Sequence, residues 1–100
     1  MAASFVEHVV IRGRVQGVGF RAWTESTALA HGLEGWVRNR RDGGVEAVFA
    51  GSQSQVASMI DACGEGPLGA RVDTVDHWIA GSSALSARRP GEKFSVLPTG

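Results

Sequence analysis

Two segments with helical spacing are each enclosed by segments rich in β-branched residues, and this alternation leaves a chain of 100 residues few ways to fold. Residues 5–12, FVEHVVIR, read as a strand that ends at Gly13. Residues 20–31 carry the helix formers Ala22, Ala28, Leu29 and Ala30. Phe20, Thr24, Thr27, Ala28 and His31 share one face of that helix, Trp23 lies off it, and Gly32 is placed to close it. Residues 33–40 read as a second strand, RDGG at 41–44 as a hairpin turn and residues 45–50 as a third strand. Ser52 and Gln55 have the spacing of a capping box, and Val56, Met59, Ile60 and Cys63 recur at i, i+3, i+4 and i+7. Gly64 ends this second helix, and Gly66, Pro67 and Gly69 mark a loop. Residues 70–79 read as a fourth strand, the Ser-, Gly- and Arg-rich residues 80–92 as a loop, and residues 93–97 as a short last strand.

The order β-α-β-β-α-β predicts a ferredoxin-like α/β (α+β) sandwich of two layers. Right-handed crossovers put both helices on one face of a mainly antiparallel sheet, with the last segment as a short fifth strand. No internal repeat or linker divides the chain, so residues 1–100 are expected to form a single domain.

Composition narrows the function classes. Formal net charge is zero, which disfavours a general polyanion-binding surface, although Arg12, Arg14, Arg21, Arg38, Arg40 and Arg41 crowd the first half of the chain. Cys63 is the only cysteine, so no internal disulfide and no cysteine metal cluster forms within one chain. That usage suits a reducing cytosol. Neither a long apolar run nor a basic segment followed by an apolar stretch marks a membrane span or a secretory signal. The expectation is a cytoplasmic monomer.

Between the first strand and the first helix lies GRVQGVGFR, residues 13–21. A strand-to-helix connection converges backbone N–H groups near a helix N-terminus, which favours an anion. Gly17 and Gly19 permit backbone conformations that side chains oppose, and the guanidinium of Arg21 can take two phosphate oxygens in a fork. Familiar nucleotide loops do not fit. The P-loop needs Lys then Ser or Thr after its last Gly, where Phe20 and Arg21 stand, and the dinucleotide fingerprint needs G-x-G-x-x-G where the spacing is G-x-x-x-G-x-G. On spacing alone, an anion site and a plain Gly-rich connection with a surface Arg both remain open. Asn39, near the end of the second strand, is in a position where Asn is uncommon; taken alone it reads as a turn-flanking amide that satisfies backbone groups.

Taken together, GRVQGVGFR and the later GWVRNRRDGGV, residues 35–45, resemble the acylphosphatase family. Its members carry G-x-V-Q-G-V-G-F-R followed by G-aromatic-V-x-N-x-x-D-G-x-V, and every defined position is filled. The resemblance extends to the element order and to ARVDTV, and weakens beyond Ile79. It implies hydrolysis of the carboxyl–phosphate anhydride of small acyl phosphates, with neither metal nor organic cofactor. The family's phosphate-binding Arg matches Arg21, its water-orienting Asn matches Asn39, and its backbone cradle matches Arg14, Val15, Gln16, Gly17, Val18, Gly19 and Phe20. An acyl phosphate has a good leaving group, so positioning and charge stabilisation suffice, and with no evident base the proton is expected to pass to the substrate's own phosphate.

The remaining conspicuous residues read as structural. His8, His31 and His77 lie on separate elements without metal-ligand spacing. Trp23, Trp36 and Trp78 read as packing residues, with Trp36 a candidate for the pocket border, and Arg38, Arg40 and Arg41 as a solvated cationic rim that steers anions. Ferredoxin-like sheets also bind RNA through exposed aromatics, but zero net charge and the lack of an aromatic-rich strand pattern argue against a nucleic-acid partner. A regulatory module, as in hydrogenase-maturation carbamoyltransferases, is the third reading. With no catalytic partner within the 100 residues, a stand-alone enzyme is the expectation.

Overall fold

The computed structural model describes residues 4–100. Eight elements follow one another: β1 (Phe5–Arg14), α1 (Phe20–Ala30), β2 (Glu34–Asn39), β3 (Val45–Gly51), α2 (Gln53–Cys63), β4 (Arg71–Ile79), a 3-10 helix (Ser82–Ala87) and β5 (Phe94–Val96). The strands form one sheet in the order β4-β1-β3-β2-β5. Every pairing is antiparallel except β2 with β5, which is parallel. The two crossovers therefore each skip a strand, and both helices pack on one face, as the element order predicts.

Alternation along the strands decides what each face holds. Val9, Ile11, Val37, Val45, Ala47 and Phe49 point to the helices and meet Phe20, Ala28, Val56, Met59 and Cys63 there. Phe20 is 2% exposed and sits edge-on to Trp23 at 5.3 Å, so Trp23, expected off the helical stripe, joins this core; three residues after Phe20 and four before Thr27, it shares their side of the helix. The opposite face has a smaller apolar cluster of Val6, Trp36, Val48 and Ala50. In α2 the Ser52 hydroxyl accepts from the Gln55 amide at 3.2 Å, while the Gln55 side chain turns to that hydroxyl at 2.9 Å, not to the Ser52 backbone.

Two expectations change. β1 runs two residues beyond Arg12, because a bulge that leaves Asp73 unpaired lets Gly13 and Arg14 go on pairing with Val72 and Arg71. Residues 80–92 are not all loop: Ser82–Ala87 form a 3-10 helix whose Ala84 carbonyl accepts from the Trp36 indole at 2.7 Å. Ala84 and Leu85 cover the smaller cluster, so tertiary packing orders a segment of loop-like composition. No helix among the described residues is long and apolar enough to cross a membrane.

Candidate active site

At one end of the sheet, on the helix side, the β1–α1 loop, the start of α1 and the end of β2 converge. They border an open cavity of about 470 Å³. Gly17 and Gly19 line it with φ of 76° and 77°, a left-handed conformation that a side chain would strain, although a Cβ at either position would meet nothing within 4 Å. Backbone geometry, not crowding, thus requires these glycines. Gly19 is the N-cap of α1 and offers no side-chain cap. Among the described residues, no backbone N–H from 16 to 22 donates to another backbone group or to a side chain, and the first helical bond is Trp23 N–H to Gly19 at 3.0 Å. A row of uncommitted donors at a helix N-terminus is a ready anion site.

Arg21 opens onto the same cavity from the first turn of α1. Its Nη1 donates to the Leu97 carbonyl at 3.4 Å, just past β5. Among the described residues this is the only side-chain bond of Arg21, so most of the guanidinium fork stays available. Asn39, the last residue of β2, lies opposite Val45 on the helix side and lines the cavity as well. Among the described residues its side-chain amide has no hydrogen-bond partner. The turn carbonyls that a turn-flanking Asn would satisfy, those of Arg40 and Gly44, are taken instead by Gln16 Nε2 at 2.7 and 2.8 Å. Val15, Phe20, Ala22 and Val96 supply an apolar wall, and Glu25, one turn after Arg21, adds a carboxylate.

The structure thus brings Arg21, Asn39, Val15, Gly17, Gly19 and Phe20 to one cavity. Arg14 closes β1 opposite Arg71 and is not among the cavity-lining residues. Val18 packs against the core. Three lining residues, Ala22, Glu25 and Val96, escape a reading of the sequence. Glu25 stands four residues after Arg21 and so shares its helix face, a signal that was available. Val96 depends on the pairing of β5, which no local pattern gives.

Two expectations about the rim change, and strand parity places Trp36 and Arg38 away from the cavity. Trp36 and Arg38 alternate with Val37 and Asn39, so they occupy the far face, and Trp36 does not border the cavity. Arg38 donates to Glu46 at 2.8 Å and lies over the Trp36 ring at 5.2 Å; Arg40 pairs with Asp42 at 3.0 Å. Arg38 and Arg40 are thus neutralised locally and are not free to steer anions, whereas Arg41 is exposed and has no ion pair among the described residues. His8 completes this far-face cluster, bonded to Glu46 at 2.6 Å and stacked on Trp78 at 4.8 Å. Burial alone would raise the Glu46 pKa, but Arg38 and His8 outweigh it and hold the carboxyl below its ordinary value. The Gly44 amide, with Arg40 and Arg12, holds Asp42 down at about 2. His77 bonds Glu7 at 2.7 Å, and His31 Nδ1 bonds the Thr27 carbonyl at 2.8 Å. Burial pushes the Cys63 thiol up to about 12, so it is a core group rather than a nucleophile. Among the described residues no group of three or more His, Cys, Asp or Glu side chains is arranged to hold a metal ion.

A sequence model of the acylphosphatase family matches residues 7–86. An acylphosphatase of Bradyrhizobium diazoefficiens is 64% identical over 91 residues, 91% of this chain and 92% of its own length. One from Nitrobacter winogradskyi is 58% identical over 94 residues, 94% of this chain and 95% of its own. Among solved structures, an acylphosphatase from Coxiella burnetii superposes with a TM-score of 0.81 at 29% identity, covering 95% of this chain and 94% of that one.

Proposed function

The chain belongs to the acylphosphatase family, and from that premise we propose that it splits the carboxyl–phosphate anhydride of small acyl phosphates by attack of water at phosphorus. Arg21 and the backbone N–H groups of residues 15–20 hold the phosphoryl oxygens and favour the charge of the transition state. Arg14, at the end of β1, is left with a supporting place at the start of that cradle. The Asn39 amide, neutral and too weak to act as a base, holds a water in line with the bond that breaks. The water oxygen joins phosphorus, the carboxylate leaves without needing a strong acid, and the proton passes to a phosphoryl oxygen. The residues need no metal or organic cofactor for these roles. The observation that carries the reading is the amide of Asn39: among the described residues it has no partner, and it lines the same cavity as Arg21 and the uncommitted loop donors.

A lone buried thiol suits a reducing cytoplasm, and one chain supplies every site residue, so we place the enzyme there as a monomer acting on a free small substrate. The apolar wall of Val15, Phe20 and Val96 fits an acyl group of modest size. The test is hydrolysis of benzoyl phosphate by the purified protein, without metal and again with EDTA, alongside Arg21→Ala and Asn39→Ala. Hydrolysis by the parent that EDTA leaves intact and both variants severely reduce is the expected result. Activity that survives both substitutions would remove the site, and a folded parent that leaves benzoyl phosphate intact would favour a binding module.

A further inference from the structure

We infer that Gln16 is a positioning residue for this reaction: its side-chain amide locks the phosphate cradle to the hairpin that carries Asn39. It thereby sets where the attacking water stands relative to phosphorus. The inference rests on the roles given above to Arg21 and Asn39.

Gln16 sits between Val15 and Gly17, two residues that line the cavity, but its half-buried side chain turns away toward the β2–β3 turn. There Nε2 donates to the carbonyls of Arg40 at 2.7 Å and Gly44 at 2.8 Å. Both partners are acceptors only, so the nitrogen must face them, and both of its hydrogens are spent. The same two carbonyls close the turn, accepting from Gly43 N–H at 3.2 Å and Arg40 N–H at 2.8 Å. Each therefore serves two donors, and the turn is rigid where Gln16 grips it. Arg40 is the residue after Asn39. Among the described residues these two bonds are the only hydrogen bonds between residues 15–19 and residues 39–44.

The chemical requirement is narrow. Glu has the length but offers carboxylate oxygens to two carbonyls, Met has the length but no donor, and Asn is one methylene short. Phosphate held by the loop and water held by Asn39 belong to separate segments, and the rate depends on their mutual placement. A misplacement of about 1 Å is enough to cost on the order of 100-fold in rate. Binding of phosphate uses the cradle and Arg21 and does not require that register.

The experiment is a double-mutant cycle with benzoyl phosphate: parent, Gln16→Met, Asn39→Ala and the pair, each measured for kcat, KM and inhibition by inorganic phosphate. Gln16→Met is expected to lower kcat about 10- to 100-fold in the parent background. Its phosphate inhibition constant stays within about threefold, and in the Asn39→Ala background it lowers kcat by less than about threefold, since the water it would place is already lost. Gln16→Lys, whose ammonium can donate to both carbonyls, restores most of kcat. Should Gln16→Met fail to fold, Gln16→Asn carries the same cycle. A kcat within about threefold of the parent, or equal losses in both backgrounds, would overturn the inference and leave Gln16 a mere fastener of the turn. A parent-like Asn39→Ala would instead overturn the site reading, and this inference with it.

Discussion

The two faces of the sheet end in polar clusters built on opposite terms. On the far face, Glu46 accepts from both His8 and Arg38, His8 stacks on Trp78, and the Trp36 indole is taken by Ala84. On the helix side, Asn39's amide and the row of loop N–H groups have no protein partner among the described residues, and Arg21 spends one nitrogen on Leu97. Residues adjacent in sequence, Arg38 and Asn39, fall on different sides of this divide because strand side chains alternate. A polar group that the protein satisfies contributes to stability, and one that it holds in place without satisfying is available to a ligand. Abundance of arginine alone does not distinguish the two, since Arg38 and Arg40 are paired and Arg21 is nearly free.

Substitutions can break this contrast, and the largest effect is expected at the helix side. Arg21→Ala and Asn39→Ala should each lower kcat/KM for benzoyl phosphate by about 10³-fold while moving unfolding free energy by less than about 1 kcal/mol, measured by denaturant titration. Glu46→Ala should do the reverse. It strands His8 and Arg38 beside a nearly buried position, so stability should fall by about 2–4 kcal/mol with kcat within about threefold of the parent. A smaller effect follows from Asp42, which ties the turn beneath Gln16 through the Gly44 amide at 3.0 Å. Its folded pKa of about 2 lies below the ordinary 3.8, so its contribution is complete above the ordinary value and is lost as pH falls toward 2. Between those limits the melting temperature of the parent should fall more steeply than that of Asp42→Asn, and parallel slopes would show that the ties to Asp42 contribute nothing. The smallest effect is expected at Glu25. If the substrate's own phosphate takes the proton, Glu25→Gln keeps kcat within about threefold, whereas a loss above about 100-fold with a flattened pH profile would make Glu25 the base.

Most of the fold could be read from the chain, because period-2 and period-3.6 patterns are local. β2 and β3 and both helices lie within a residue or two of where those patterns put them. The 3-10 helix could not be read, since Ser82–Ala87 has the composition of a loop and is ordered by Trp36 and the far-face cluster. Arg21 and Asn39 were visible through two spaced motifs, but the face of each neighbour was not: Trp36 is near Asn39 in sequence and on the other side of the sheet. Gln16 was readable only as part of a cradle. Its side chain acts across 24 and 28 residues, a separation at which sequence pattern carries no signal.

One isotope measurement reaches the central claim most directly. Benzoyl phosphate is hydrolysed by the parent protein in ¹⁸O-enriched water, and the label is located in the products by mass spectrometry. Water oriented by Asn39 onto a phosphoryl group held by Arg21 puts the label in inorganic phosphate and leaves benzoate unlabelled. Label in the benzoate would show attack at the carbonyl carbon, and would contradict the account whatever the variants did.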